Sequence, residues 1–126
     1  MDEILNKLSK SKFRSSFKLK EKDILYIKDK GLNTIKSHAY DFINKRLAQK
    51  TIFNDGTQTP MRGHPVFIAQ HATATCCRKC LYKWHKINMN KELNNNEKDY
   101  IVNLIMAWIN KELNEKKLHF ELVNKK

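Results

Sequence analysis

Apolar residues recur along this chain mostly at helical spacing. The clearest set is Tyr100, Ile101, Leu104, Ile105, Trp108, Ile109 and Leu113, which share one face when read at the helical period. Asn95 or Asn96 stands where an N-cap belongs. A second stripe, Ile35, Ala39, Phe42, Ile43 and Leu47, predicts a helix from about Asn33 to about Gln49. Glu21 to Lys30 predicts a shorter helix, with acids early and lysines late as the helix dipole favours. Gly31 followed by Leu32 fits a helix-ending glycine with a hydrophobic residue behind it. Pro65 suits the first turn of a further helix over about His64 to Ala74. Cys80 to Lys86 reads as one or two more turns.

The intervening segments lack that period. Residues 50–63 carry Asn54-Asp55-Gly56 and Thr59-Pro60, both turn signals, and predict a long loop with room for a short hairpin. Residues 9–20 are basic with Phe13 and Phe17 interleaved, and read as an irregular lead-in arm. Residues 118–122 alternate apolar and polar, as a short strand or a frayed tail would. The expected fold is mostly α: one small domain over residues 1–126. Four to five helices would surround a Cys/His-rich central segment, with at most a small β-hairpin.

Composition adds one strong feature. Among 126 residues, 25 are Lys or Arg and 13 are Asp or Glu, a net charge of +12. A domain this basic attracts polyanions, although a Lys-rich, Arg-poor balance also follows from coding bias. The distribution says more than the total. After Asp55 the next carboxylate is Glu92, so the 36 residues from Gly56 to Lys91 hold no acid. No apolar run approaches the roughly 20 residues of a membrane span. The acidic start, Met1-Asp2-Glu3, is unlike a secretory signal, so a cytoplasmic protein with reduced thiols is expected.

The acid-free window holds all three cysteines, Cys76, Cys77 and Cys80, and three of the five histidines, His64, His71 and His85. An odd, clustered cysteine count makes a poor disulfide framework. Six soft or borderline donors without a carboxylate suit zinc, or less readily iron, over magnesium or calcium. Cys77-x₂-Cys80 is a turn that can aim two sulfurs at one ion, and His85 follows after four intervening residues. That is most of a zinc knuckle, but the knuckle's last cysteine would fall at Asn90 and its usual glycine at Trp84. The fourth ligand must then come from upstream. The expected set is His71, Cys77, Cys80 and His85, with Cys76 and His64 as alternates. Without a local carboxylate as general base, a structural ion is favoured over a catalytic one.

Anion chemistry is the companion expectation. Arg62, Gly63 and His64 precede the helix that Pro65 starts, where free backbone N–H groups favour an anion. Arg78, Lys79 and Lys83 lie in the same window, with Tyr82 and Trp84 beside them as stacking candidates. Trp84 also fits a core position.

The run Thr59-Pro60-Met61-Arg62-Gly63-His64-Pro65-Val66-Phe67-Ile68-Ala69-Gln70-His71-Ala72-Thr73-Ala74-Thr75-Cys76-Cys77-Arg78-Lys79-Cys80-Leu81, then Lys83-Trp84-His85, resembles the signature of an uncharacterised family. Its members are small bacterial and phage proteins grouped as a domain of unknown function. The resemblance extends from about Lys12 to Leu113 and implies a single domain. It implies no activity, substrate or cofactor. The chain departs from it at Ile87-Asn88-Met89-Asn90, where a Pro and Gly turn is expected. The residues thus point to a small zinc-binding protein that binds nucleic acid or another phosphate-bearing ligand. The rival is a metal-dependent hydrolase or nuclease, or a cysteine-dependent redox enzyme.

Overall fold

The computed structural model describes residues 1–50 and 55–124, with side chains described up to Lys117. Among the described residues there are seven helices and no strand. They are α1 (Asp2–Ser9), α2 (Lys12–Ser15), α3 (Glu21–Lys30), α4 (Leu32–Arg46), α5 (Pro65–Ala72), α6 (Arg78–His85) and α7 (Asn95–Asn124). The domain is mostly α, as the periodicity indicates, but richer in helices than the four to five expected.

The core forms where α4 and α5 pack on α7. Ile35, Ala39, Ile43 and Leu47 face Ile101, Val102, Ile105 and Ile109, all fully buried. Burying each large aliphatic side chain stabilises the fold by roughly 1.5–3 kcal/mol, so this seam is the main source of cohesion. No described helix is long and apolar enough to cross a membrane.

Several boundaries differ from the expectations for local reasons. Residues 9–20 are not an irregular arm: they contain α2, capped by Ser11, whose hydroxyl accepts from the Arg14 N–H. The preceding α1 was masked by its polar face, but Leu5 and Leu8 lie one turn apart and are buried. Helix α4 starts directly at Leu32 because Gly31, at φ +86°, makes the turn that Asn33 was expected to cap. The last helix is capped by Asn94, not Asn95 or Asn96. Asn94 Oδ1 accepts from Glu97 N–H and Glu97 Oε1 accepts from Asn94 N–H, a reciprocal box. Residues 118–122 belong to α7 and form no strand. The expected hairpin lies partly in residues 51–54, outside the described residues, and residues 55–63 form no strand.

Two buried polar groups tie the amino-terminal segment to this frame. Glu112 on α7 accepts the Leu19 N–H at 3.0 Å, and Lys18 pairs with its other oxygen at 3.7 Å. Arg14 on α2 points inward to the segment joining α5 and α6.

Candidate metal centre

Helix α5 ends at Ala72, and the chain must reverse before α6 begins at Arg78. Ala74 makes that reversal at φ +57°, in the left-handed region, where its small side chain limits the cost. The reversal sends Thr75, Cys76 and Cys77 back along α5. Cys77 then caps α6, its Sγ accepting from the Cys80 N–H at 3.3 Å. Cys80 lies one turn into the helix. The three Sγ atoms lie within 4.8 Å of one another. Cys76 and Cys77 are buried and Cys80 is partly exposed. Cys76 Sγ and Cys80 Sγ stand 3.8 Å apart, far beyond a disulfide bond.

Arg14 closes the cluster. It is 9% exposed. Its Nη1 donates to the His71 carbonyl at 2.8 Å and to Cys76 Sγ at 3.6 Å, and its Nη2 donates to Cys80 Sγ at 3.2 Å. Burial acts to lower the Arg14 pKa, but the bonds to Cys76 and Cys80 outweigh it and hold the pKa above its ordinary value. The Cys80 thiol is lowered well below its ordinary range by the hydrogen bonds it shares with Cys76 and Cys77, with Arg14 adding to them. The Cys77 thiol is raised by those same sulfur contacts and by burial. One sulfur thus ionises readily beside a fixed cation while its neighbour holds its proton.

The loop at residues 59–60 braces the cluster from the other side. Thr59 Oγ1 donates to the Cys76 carbonyl at 2.8 Å. Gln70 Nε2 donates to the Thr75 carbonyl at 3.1 Å. Asp55 binds the start of α6, accepting from the Arg78 and Lys79 N–H groups at 3.0 and 3.1 Å. A carboxylate at a helix N-terminus is stabilising there.

The structure distributes the expected site residues unevenly. Cys77 and Cys80 meet, and Cys76, expected only as an alternate, completes the group with them. His71 Nε2 is held by the Thr59 and Pro60 carbonyls, both at 3.1 Å, and its ring stacks on Phe17. His85 has both ring nitrogens engaged: Nε2 with the Thr73 carbonyl at 2.8 Å and Nδ1 with the Tyr100 hydroxyl at 2.9 Å. Arg78 does not face an anion. It is 2% exposed, and its guanidinium donates to the carbonyls of Leu47, Gln49, Asn88 and Lys91. Arg62, Lys79 and Lys83 are exposed, and Trp84 is half-buried. Lys86 adopts φ +60° and ends α6 just before residues 87–90, where a Pro and Gly turn was expected, and Ile87 is buried.

His64 lies apart from the sulfurs. Its Nδ1 caps α5 by accepting the Val66 N–H at 3.0 Å, and its Nε2 pairs with His38 Nδ1 at 3.0 Å. Tyr26, Phe42 and Phe67 surround its ring. Burial first, and the adjacent His38 second, push its pKa down to about 4. A second proton must land on the capping Nδ1, so protonation also breaks the cap. Between the ordinary histidine pKa of about 6.5 and about 4, the unfolded chain binds a proton that the folded chain refuses. Stability contributed by neutral His64 is therefore full above that range and declines as pH falls through it. Thermal melts from pH 7.5 to 4.5 should show this decline. His64→Asn keeps a capping oxygen without the titration and should flatten the slope. An equal slope in both proteins would count against it.

The result is a small helical domain with a mostly buried cluster of three thiols that could hold a metal ion. The chain belongs to the family described as a domain of unknown function (DUF4186), whose model matches residues 2–110. No solved structure matches the chain.

Proposed function

We propose that this protein is a zinc-binding protein and that Cys76, Cys77 and Cys80 supply its ligands. One observation carries the reading: the mutual approach of the three sulfurs. Two thiolates bound tetrahedrally to one zinc at about 2.3 Å stand about 3.8 Å apart. Cys76 and Cys80 have that separation, 3.8 Å, and Cys77 is close to both. Soft donors without a carboxylate favour zinc, with iron next. Three thiolates give the ion a net charge of −1, which Arg14 offsets. In this reading His71 and His85 support the site through hydrogen bonds, and His85, with both ring nitrogens engaged, would have to give up a contact to ligate. One ion would brace the fold by joining α6 to the end of α5 and, through Arg14, to α2. Such thiols need the reducing setting of the cytoplasm.

A second reading, binding of nucleic acid or another phosphate-bearing ligand, rests on the outer face of α6. Lys79, Tyr82 and Lys83 are exposed there, Tyr82 at 56%, so cations flank an aromatic ring free to stack on a base. Arg62 is an exposed cation nearby in sequence. Phosphate contacts release counterions, so affinity for a single-stranded oligonucleotide should fall steeply between about 50 and 200 mM salt. Lys79→Gln/Lys83→Gln should weaken binding and flatten that dependence. Affinity that ignored salt would reject the phosphate contacts.

A further inference from the structure

The three sulfurs leave one position of a tetrahedral ion unfilled. Among the described residues no fourth ligand joins them. His85 has both ring nitrogens bonded, and neither His71 nor His85 groups with the three sulfurs. Cys76 and Cys77 are buried whereas Cys80 is partly exposed, so solvent meets the cluster at Cys80. The surroundings are cationic. Arg14 touches two of the sulfurs, and Lys79 and Lys83 are exposed on α6 beside and one turn beyond Cys80. Asp55 accepts from two N–H groups at the start of α6.

We infer that the fourth position takes a solvent-borne thiolate from a low-molecular-weight thiol. This rests on the three-thiolate metal site proposed above. Three sulfurs soften the ion toward a fourth soft donor. The positive rim favours an anion over a neutral ligand. A thiolate meets both demands, whereas water meets neither and carboxylate or phosphate meets only the second. The exchange is simple: the thiol RSH replaces the bound water, its sulfur forms the bond to the ion, the water leaves, and the thiol proton passes to solvent. No oxidant or reductant takes part. The ion thereby holds the small thiol as its thiolate near neutral pH, just as it deprotonates the cysteines themselves.

The test uses the full chain loaded with Co²⁺ in place of zinc and 2-mercaptoethanol as the probe. The thiolate-to-cobalt charge-transfer band reports the number of bound sulfurs. It should grow by about one third as three sulfurs become four, and saturate with the tetrahedral visible bands retained. Ethylene glycol, the oxygen analogue, should leave the band unchanged. Lys79→Gln/Lys83→Gln, at exposed positions that should not disturb folding, should need several-fold more thiol for half-saturation. A cobalt spectrum indifferent to thiol, or thiol that strips the cobalt, overturns the inference while leaving the metal site standing. Failure of the chain to bind Co²⁺ or Zn²⁺ at all overturns the site itself.

Discussion

Freshly purified, reduced protein should contain about one zinc per chain by elemental analysis, and Cys77→Ser and Cys80→Ser should each lose it. Serine keeps the size of the side chain but replaces a soft thiolate with a hydroxyl that stays protonated at neutral pH. Cys76→Ser should lose the ion as well, because Cys76 stands 3.8 Å from Cys80 with Arg14 bonded to both sulfurs. Saturating zinc should raise the melting temperature; a ligand at about 100 times its Kd stabilises a fold by at most about 2.7 kcal/mol, and by less where the unfolded chain binds it too. A chelator should reverse the gain. His71→Asn and His85→Gln separate the two ligand sets. If the sulfurs hold the ion, both variants keep their zinc. Loss of zinc in either, with the stability of the metal-free protein unchanged, would place that histidine in the coordination shell. Protein that never contains or takes up metal would reject the site.

The largest effect on stability should come from Arg78→Ala. Four backbone carbonyls, from Leu47, Gln49, Asn88 and Lys91, accept from this one guanidinium. They come from the stretch just after α4 and from the segment between α6 and α7, so Arg78 joins stretches that no helix links. Removing it strands the buried Leu47 carbonyl, at roughly 1–3 kcal/mol, and breaks three further charge-assisted bonds whose part-buried carbonyls water can reach. A total loss of about 3–4 kcal/mol is expected, against typical domain stabilities of about 5–15 kcal/mol. At about 4 °C per kcal/mol for a chain of this size, the melting temperature should drop by about 15 °C or the variant should fail to fold. Arg78→Lys should recover little, because an ammonium cannot reach four carbonyls in two directions as the planar fork does. A melting temperature within about 3 °C of the parent protein for Arg78→Ala would show that the network carries little of the fold.

Arg78 also shows where sequence reasoning stops. Its neighbours Lys79 and Lys83 are exposed as expected, but nothing in a row of cations tells which one turns inward. That depends on carbonyls left unpaired 10 to 31 residues away. Arg14 posed the same problem. It lay among the Lys and Phe of a segment that reads as an arm, and the only usable sign was Arg standing among lysines on a short capped turn. The α7 stripe and the α4 stripe were legible because helical periodicity is local and repeats. The sulfurs were legible because Cys76, Cys77 and Cys80 lie within five positions. The histidines were not, because imidazole serves equally as a ligand, a cap and a carbonyl partner. His64, His71 and His85 show the second and third of these uses.

The spacing of the cluster has a thermodynamic consequence. The three sulfurs come from one short stretch, so an unfolded chain can still gather them around an ion. Arg14 is separated from Cys76 by 62 positions and from Cys80 by 66, so it reaches them only after folding. An ion stabilises a fold only by the difference between its affinities for the folded and unfolded chains. Much of the zinc affinity would therefore cancel between the two states. The remainder depends on the distant guanidinium, which makes Arg14 rather than any sulfur the residue that converts metal binding into fold stability.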